Sequence, residues 1–116
     1  MNITHKSREF TKVEEYLLTL DKTAKSVKDV EDGTKIMCTA YLEYDDINSR
    51  EEEVHVLSIL TADNTVYATQ SATFKESFKN MFNMMDGKPF GIIKTSGTTK
   101  AGRPYVDCTL DLSTVQ

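Results

Sequence analysis

The residues of this chain best suited to chemistry are a set of rings and cations. Tyr105 stands beside Arg103 and Lys100, with Lys94 shortly upstream, and no acid occurs between Asp86 and Asp107. Two further rings precede them: Tyr41, on the same alternation as Lys35, and Tyr67, just after a turn signal. Aromatic rings presented next to cations suit a flexible polyanion with flat bases, because rings stack on bases while ammonium and guanidinium groups follow phosphates. The candidate nucleic-acid-binding residues are therefore Tyr67, Tyr105, Tyr41, Lys35, Lys94, Lys100 and Arg103. The plain alternative is an ordinary solvated hairpin with a half-covered tyrosine.

Other chemistries find few residues to carry them. His5 and His55 are far apart in the chain, and Cys38, His55 and Cys108 lack the short spacings of a zinc site. The acidic stretch Asp45, Asp46, Glu51, Glu52 and Glu53 could attract a divalent cation, but a loop of like charges is normally just solvated. A dinucleotide-binding glycine pattern and a P-loop lysine are both absent. The chain reads as non-enzymatic, with no cofactor and no metal.

The elements that must position the candidate set follow from periodicity. Phe90 to Leu112 holds two apolar, β-forming runs around Gly97, Gly102 and Pro104, the pattern of a hairpin with a long basic tip. At period two, Val106, Cys108, Leu110 and Leu112 share one face, which turns Tyr105 to the other with Asp107 and Thr109. Thr34 to Asp45 alternates, with Ile36, Cys38, Ala40, Leu42 and Tyr44 facing a core and Lys35, Met37 and Tyr41 facing out. Asp45 to Glu53 reads as an acidic loop, Val54 to Leu60 as a strand buried on both faces, and Val66 to Thr69 as its returning partner.

Two helices complete the set. Thr11 and Glu14 form a capping-box pattern before a helix at 12–20, with Val13, Leu17 and Leu20, joined by Tyr16, on its apolar face. Ser71 or Thr73 caps a second helix whose Phe74, Phe78, Met81, Phe82 and Met85 make one broad apolar face, stopped at Gly87 and Pro89. Residues 1–9 read as loosely held, and 21–33 as a polar connection with Val27 and Val30 as anchors. The order is that of a mainly β domain: a five-stranded antiparallel OB-fold-like barrel with a helix between its third and fourth strands and an added N-terminal helix. An open α+β sheet is the alternative.

Composition sets the bounds. At 116 residues, with 39% hydrophobic and 28% charged residues, the chain fits one globular domain spanning 1–116. With no long apolar run and no apolar leader, it reads as cytoplasmic and not membrane-associated. The net charge of −4 argues against a duplex-DNA binder. The charge is also unevenly placed: residues 1–53 carry 8 Lys/Arg against 13 Asp/Glu, and residues 54–116 carry 6 against 5. Cys38 and Cys108 fall on apolar faces and read as small core residues.

The chain resembles the small OB-fold single-stranded DNA-binding proteins of bacteriophages, of the protein-primed type. The resemblance runs from about Leu18 onward. It rests on Asp21 to Asp29 before the first barrel strand, on Thr65-Val66-Tyr67-Ala68-Thr69 with Ser71-Ala72 leading into the helix, and on Lys100-Ala101-Gly102-Arg103-Pro104-Tyr105. It implies cooperative, sequence-tolerant coating of single-stranded DNA in the host cell during phage DNA replication or recombination. Tyr67 and Tyr105 fall at the matching aromatic positions, and Lys100 and Arg103 at the matching basic hairpin; Tyr41 enters from alternation alone. The acidic loop and the N-terminal helix depart from the family pattern. Replication or recombination proteins are the partners such a role implies, and the helix at 12–20 is the candidate for homo-oligomer contacts. The rival reading is a protein-interaction module or host-factor inhibitor on the same fold that uses the acidic loop 45–53.

Overall fold

The strand over Lys35–Ile47 organises the molecule, flanked on both edges and packed on both faces. A computed structural model describes residues 1–115. In chain order the elements are β1 (Asn2–Lys6), α1 (Lys12–Thr19), β2 (Lys25–Ser26), a 3-10 turn (Val27–Asp29), β3 (Lys35–Ile47), β4 (Glu53–Thr61), β5 (Val66–Thr69), α2 (Ala72–Met84), β6 (Phe90–Thr98), β7 (Pro104–Asp111) and a 3-10 turn (Leu112–Thr114). No helix among the described residues is long and apolar enough to cross a membrane.

The fold is mainly β: one curled, half-barrel sheet of seven strands and two helices, rather than a five-stranded barrel. Its order is β2-β5-β4-β3-β6-β7, with β1 also on β3. β4 follows β3 from Cys38 to Ile47 on one edge. The other edge is shared, β6 pairing with Lys35–Cys38 and β1 with Leu42–Asp45. The outer edge of β5 is taken by β2 in a short parallel pairing, so no ladder joins β5 to β7 among the described residues. At that seam the Ser71 hydroxyl donates to the Val106 carbonyl at 3.3 Å.

A β-bulge decides which side chains are inside. Cys38 pairs with Thr61 and Ala40 with Leu60, so β3 advances two residues while β4 advances one, and Thr39 is the extra residue. Because side chains alternate with period two, one inserted residue reverses every later one. Ile36 and Cys38 face the core under α2, and so does Tyr41, whereas Leu42 faces the opposite cluster with Leu18, Leu60 and Val66. The chain thus builds two cores on the two faces of one sheet.

The larger core lies under α2. Phe74 and Phe78 are fully buried, with Met81, Phe82 and Met85 packed against the same cluster, as the apolar spacing requires. Burying each aromatic ring stabilises by about 1.5–3 kcal/mol, which fixes the helix to the sheet. Ser71 is the cap, its oxygen accepting from the Phe74 N–H. Cys38 and Cys108 are buried free thiols, as expected, and burial pushes the Cys108 thiol up to about 12.

Three expectations about the outer parts need correction. Residues 1–9, read as loose, contain β1, held by antiparallel pairing to β3 and followed by Ser7, whose backbone N–H donates to the Tyr41 carbonyl. The acidic loop read over 45–53 is shorter: β3 runs to Ile47 and β4 begins at Glu53, which leaves a turn over residues 48–52. In α1 the capping box forms as read, but Val13, Tyr16 and Leu20 are exposed, and Leu18 is the buried contact with Leu17 beside it. Eight residues give the helix only about two turns. It packs through Leu18 and Leu17 on Leu42, Leu60 and Val66 rather than through the stripe of Val13, Tyr16 and Leu20.

Candidate nucleic-acid interface

The β6–β7 hairpin presents the exposed cluster. Its tip closes through the Thr99 N–H donating to the Arg103 carbonyl and the Gly102 N–H donating to the Thr99 carbonyl, both at 2.9 Å. Gly102 supplies the left-handed conformation this needs, at φ 81°. Lys100 and Arg103 stand in solvent on the tip. Tyr105 lies opposite Gly97 and is 38% exposed. A Cβ placed on Gly97 would come within 2.5–3.0 Å of three ring and hydroxyl atoms of Tyr105. The ring therefore lies across the glycine backbone, in the manner of aromatic cover over a strand glycine.

Lys94 does not join them. It pairs with Cys108 on the inner face of the hairpin and is buried. Its ammonium lies 2.9 Å from a carboxylate oxygen of Asp32 and donates to the Val30 carbonyl at 2.8 Å. Its backbone exchanges bonds with Gly33 and Thr34, so the lysine fastens the loop before β3 to the hairpin. The hydroxyl of Ser96, then the ammonium of Lys94, hold the Asp32 carboxyl below the usual range. A lysine so occupied is not a free phosphate contact.

Tyr41 is also interior, contrary to the alternation reading. The bulge at Thr39 turns it under α2, where it meets Phe78 and Phe82 edge-on at 5.3 and 4.8 Å. Burial, then the Glu43 charge, push its phenol above the ordinary value.

Tyr67 and Lys35 come together at one end of the half-barrel. Tyr67 pairs with Ile59 and is half-buried against the larger core. Lys35 is exposed, and the two line a groove of about 330 Å³ with Met37, Thr61, Asp63 and Thr65. The ammonium of Lys25 sits 5.8 Å from the Tyr67 ring centre, within cation–π range. Asp63 is a fixed anion at the rim, its carboxyl lowered to about 2 by the Thr61 hydroxyl and the Thr65 N–H.

The seven candidates thus divide into a tip trio (Lys100, Arg103, Tyr105), a groove pair (Lys35, Tyr67) and two interior residues (Tyr41, Lys94). Register relates the first two groups. Lys35 pairs with Ile93 and Ile93 with Thr109, which places Lys35 on the same sheet face as Tyr105, four residues or about 13 Å along β7. Asp107 stands on that face between them.

Sequence reasoning missed Lys25, Lys28 and Tyr44. Lys28 and Tyr44 line a cleft of about 430 Å³ at the open seam, with Ser26, Val56, Ala68 and Ser71. Tyr44 was legible only after the bulge, and the lysines only after the parallel β2–β5 pairing, which local periodicity does not encode. Comparison of the chain with protein-family models, with curated proteins and with solved structures finds no match in any of the three.

Proposed function

We propose that this protein is a non-enzymatic, sequence-tolerant single-stranded DNA-binding protein of OB type acting in phage DNA replication or recombination. The strand connections favour that family: β3 between β4 and β6, with α2 entering between β5 and β6, is the order of an OB barrel left open between β5 and β7. The observation that carries the reading is Tyr105, an exposed ring seated on Gly97 beside Lys100 and Arg103, on an arm with no acid from 87 to 106. Bases stack on Tyr105, phosphates meet Lys100 and Arg103, and the strand continues toward Lys35 and Tyr67. Lys94 and Tyr41 have no part in the contact.

The test is tyrosine fluorescence during titration with oligo-dT at low and moderate salt. The chain has five tyrosines and no tryptophan, so stacking should appear as quenching that saturates and weakens with salt. Each stacked base is worth about 1–3 kcal/mol, so Tyr105→Ala should weaken binding roughly tenfold. Equal binding by the folded variant would place the interface elsewhere. The rival protein-interaction reading is favoured by one feature, Ile47, which is 61% exposed beside Glu51, Glu52 and Glu53. Absence of any oligo-dT binding at low salt would turn attention to that end of the molecule.

A further inference from the structure

The end of the sheet remote from the basic hairpin in this reading carries a different constellation. Asp45 and His55 are direct partners across β3 and β4, and Glu53 lies two residues before His55 on the same sheet face. The Nδ1 of His55 is 2.6 Å from Oδ1 of Asp45. One ligand atom from each of Asp45, Glu53 and His55 falls within 4.8 Å of the others. On the opposite edge of β3, Asn2 pairs with Asp45, and the two line a groove of about 250 Å³ with Asp46, Ile47 and Glu53.

We propose that Asp45, Glu53 and His55 form a binding site for a divalent transition cation of the zinc or manganese class. Three observations converge on it. The donors are one imidazole nitrogen and two carboxylate oxygens, a set suited to borderline cations and poorly matched to thiophilic ones. They are held by the register of paired strands, not by a loop, so small side-chain rotations bring them to the roughly 2.0–2.2 Å bond lengths such an ion needs. The adjoining groove leaves the Asn2 side open, where its amide oxygen or water can complete the coordination. Binding replaces the Asp45–His55 hydrogen bond by two metal–ligand bonds. Two cations border the site and are engaged elsewhere: the Lys75 ammonium donates to the His55 carbonyl at 3.1 Å, and the Met1 ammonium, which also lines the groove, lies 3.7 Å from Oδ1 of Asp46.

The site is independent of the DNA-binding reading and is tested on the full chain without nucleic acid. Zinc chloride and manganese chloride are titrated separately into isotope-labelled protein and followed by NMR. The expected result is one saturable zinc site that shifts the His55 ring protons and leaves those of His5 in place. Manganese should broaden signals around Asn2, Asp45, Glu53 and His55. His55→Ala and Glu53→Gln should each weaken zinc binding at least about tenfold, the size of effect that even loss of a ligand-orienting residue can have. Their melting temperatures without metal should match the parent, since both side chains are exposed. Non-saturating shifts, an equal response to magnesium chloride, or unchanged zinc binding in both variants would each overturn the proposal.

Discussion

Replacing Lys94 by Met separates a structural lysine from a phosphate-binding one. Met keeps most of the buried stem and removes the ammonium, which donates to the Val30 carbonyl at 2.8 Å and faces Asp32 at 2.9 Å. A hydrogen bond from a charged donor is worth about 1.5–3 kcal/mol. The Asp32 side chain is 56% exposed and returns readily to water, so the ion pair adds little to that loss. Better burial of the thioether offsets part of it, leaving a net cost of about 1–2 kcal/mol. With ~2.1 cal/mol/K of unfolding entropy per residue over 116 residues, the melting temperature should fall by roughly 4–8 °C. Differential scanning calorimetry and oligo-dT titrations at several salt concentrations are the paired assays. The salt slope of the folded variant should stay at the parent value, whereas a lost phosphate contact would lower it by about 0.7. A variant with parental stability and a reduced slope would refute this placement of Lys94.

Other consequences can be checked alongside. Phe78→Ala, at a fully buried ring against Phe74, Phe90 and Tyr41, should cost about 3–5 kcal/mol in urea unfolding, while the folded fraction binds oligo-dT as the parent does. Gly97→Ala should push the mobile end of Tyr105 off the strand, weakening oligo-dT quenching with little change in melting temperature; full quenching would mean that the ring is not seated there. Glu14 is lowered from 4.5 to about 2, chiefly by its hydrogen bond from Arg8, then by the Thr11 N–H. A carboxyl depressed in the folded state stabilises above its unfolded value and loses that contribution as pH falls through the folded one. The melting-temperature gap between parent and Glu14→Gln should therefore be full above about pH 5 and close toward pH 2.

The sequence was most legible where one rule acted alone. The apolar face of α2, the Thr11–Glu14 box, the turn before β5 and the hairpin phase that exposes Tyr105 all follow from local spacing. Lys94 was legible too, because Phe90, Ile92 and Lys94 share a parity and the first two are core. Tyr41 was not legible, since nothing in Thr39 or its neighbours announces a bulge that forms only against β4. The three-stranded row of Asn2, Asp45 and His55 was hidden for a related reason. It needs Asn2 to pair with Asp45, more than forty residues along the chain, and a pairing of that range leaves no trace in local pattern.

The unpaired residue at Thr39 makes chain length, as distinct from chain composition, a determinant of this molecule. Point substitutions between Ala40 and Ile47 leave every other side chain on its own face of the sheet. Removing a single residue at the bulge would instead exchange the two sides of the strand from that point on. Leu42 and Tyr44 would turn toward α2, Tyr41 and Glu43 toward α1, and Asp45 would leave the side on which His55 waits. Related chains that differ by one residue in this strand would then share most of their letters yet differ in which tyrosine packs under α2 and in whether Asp45 faces His55. An alignment that places a gap freely between positions 38 and 40 would miss that difference.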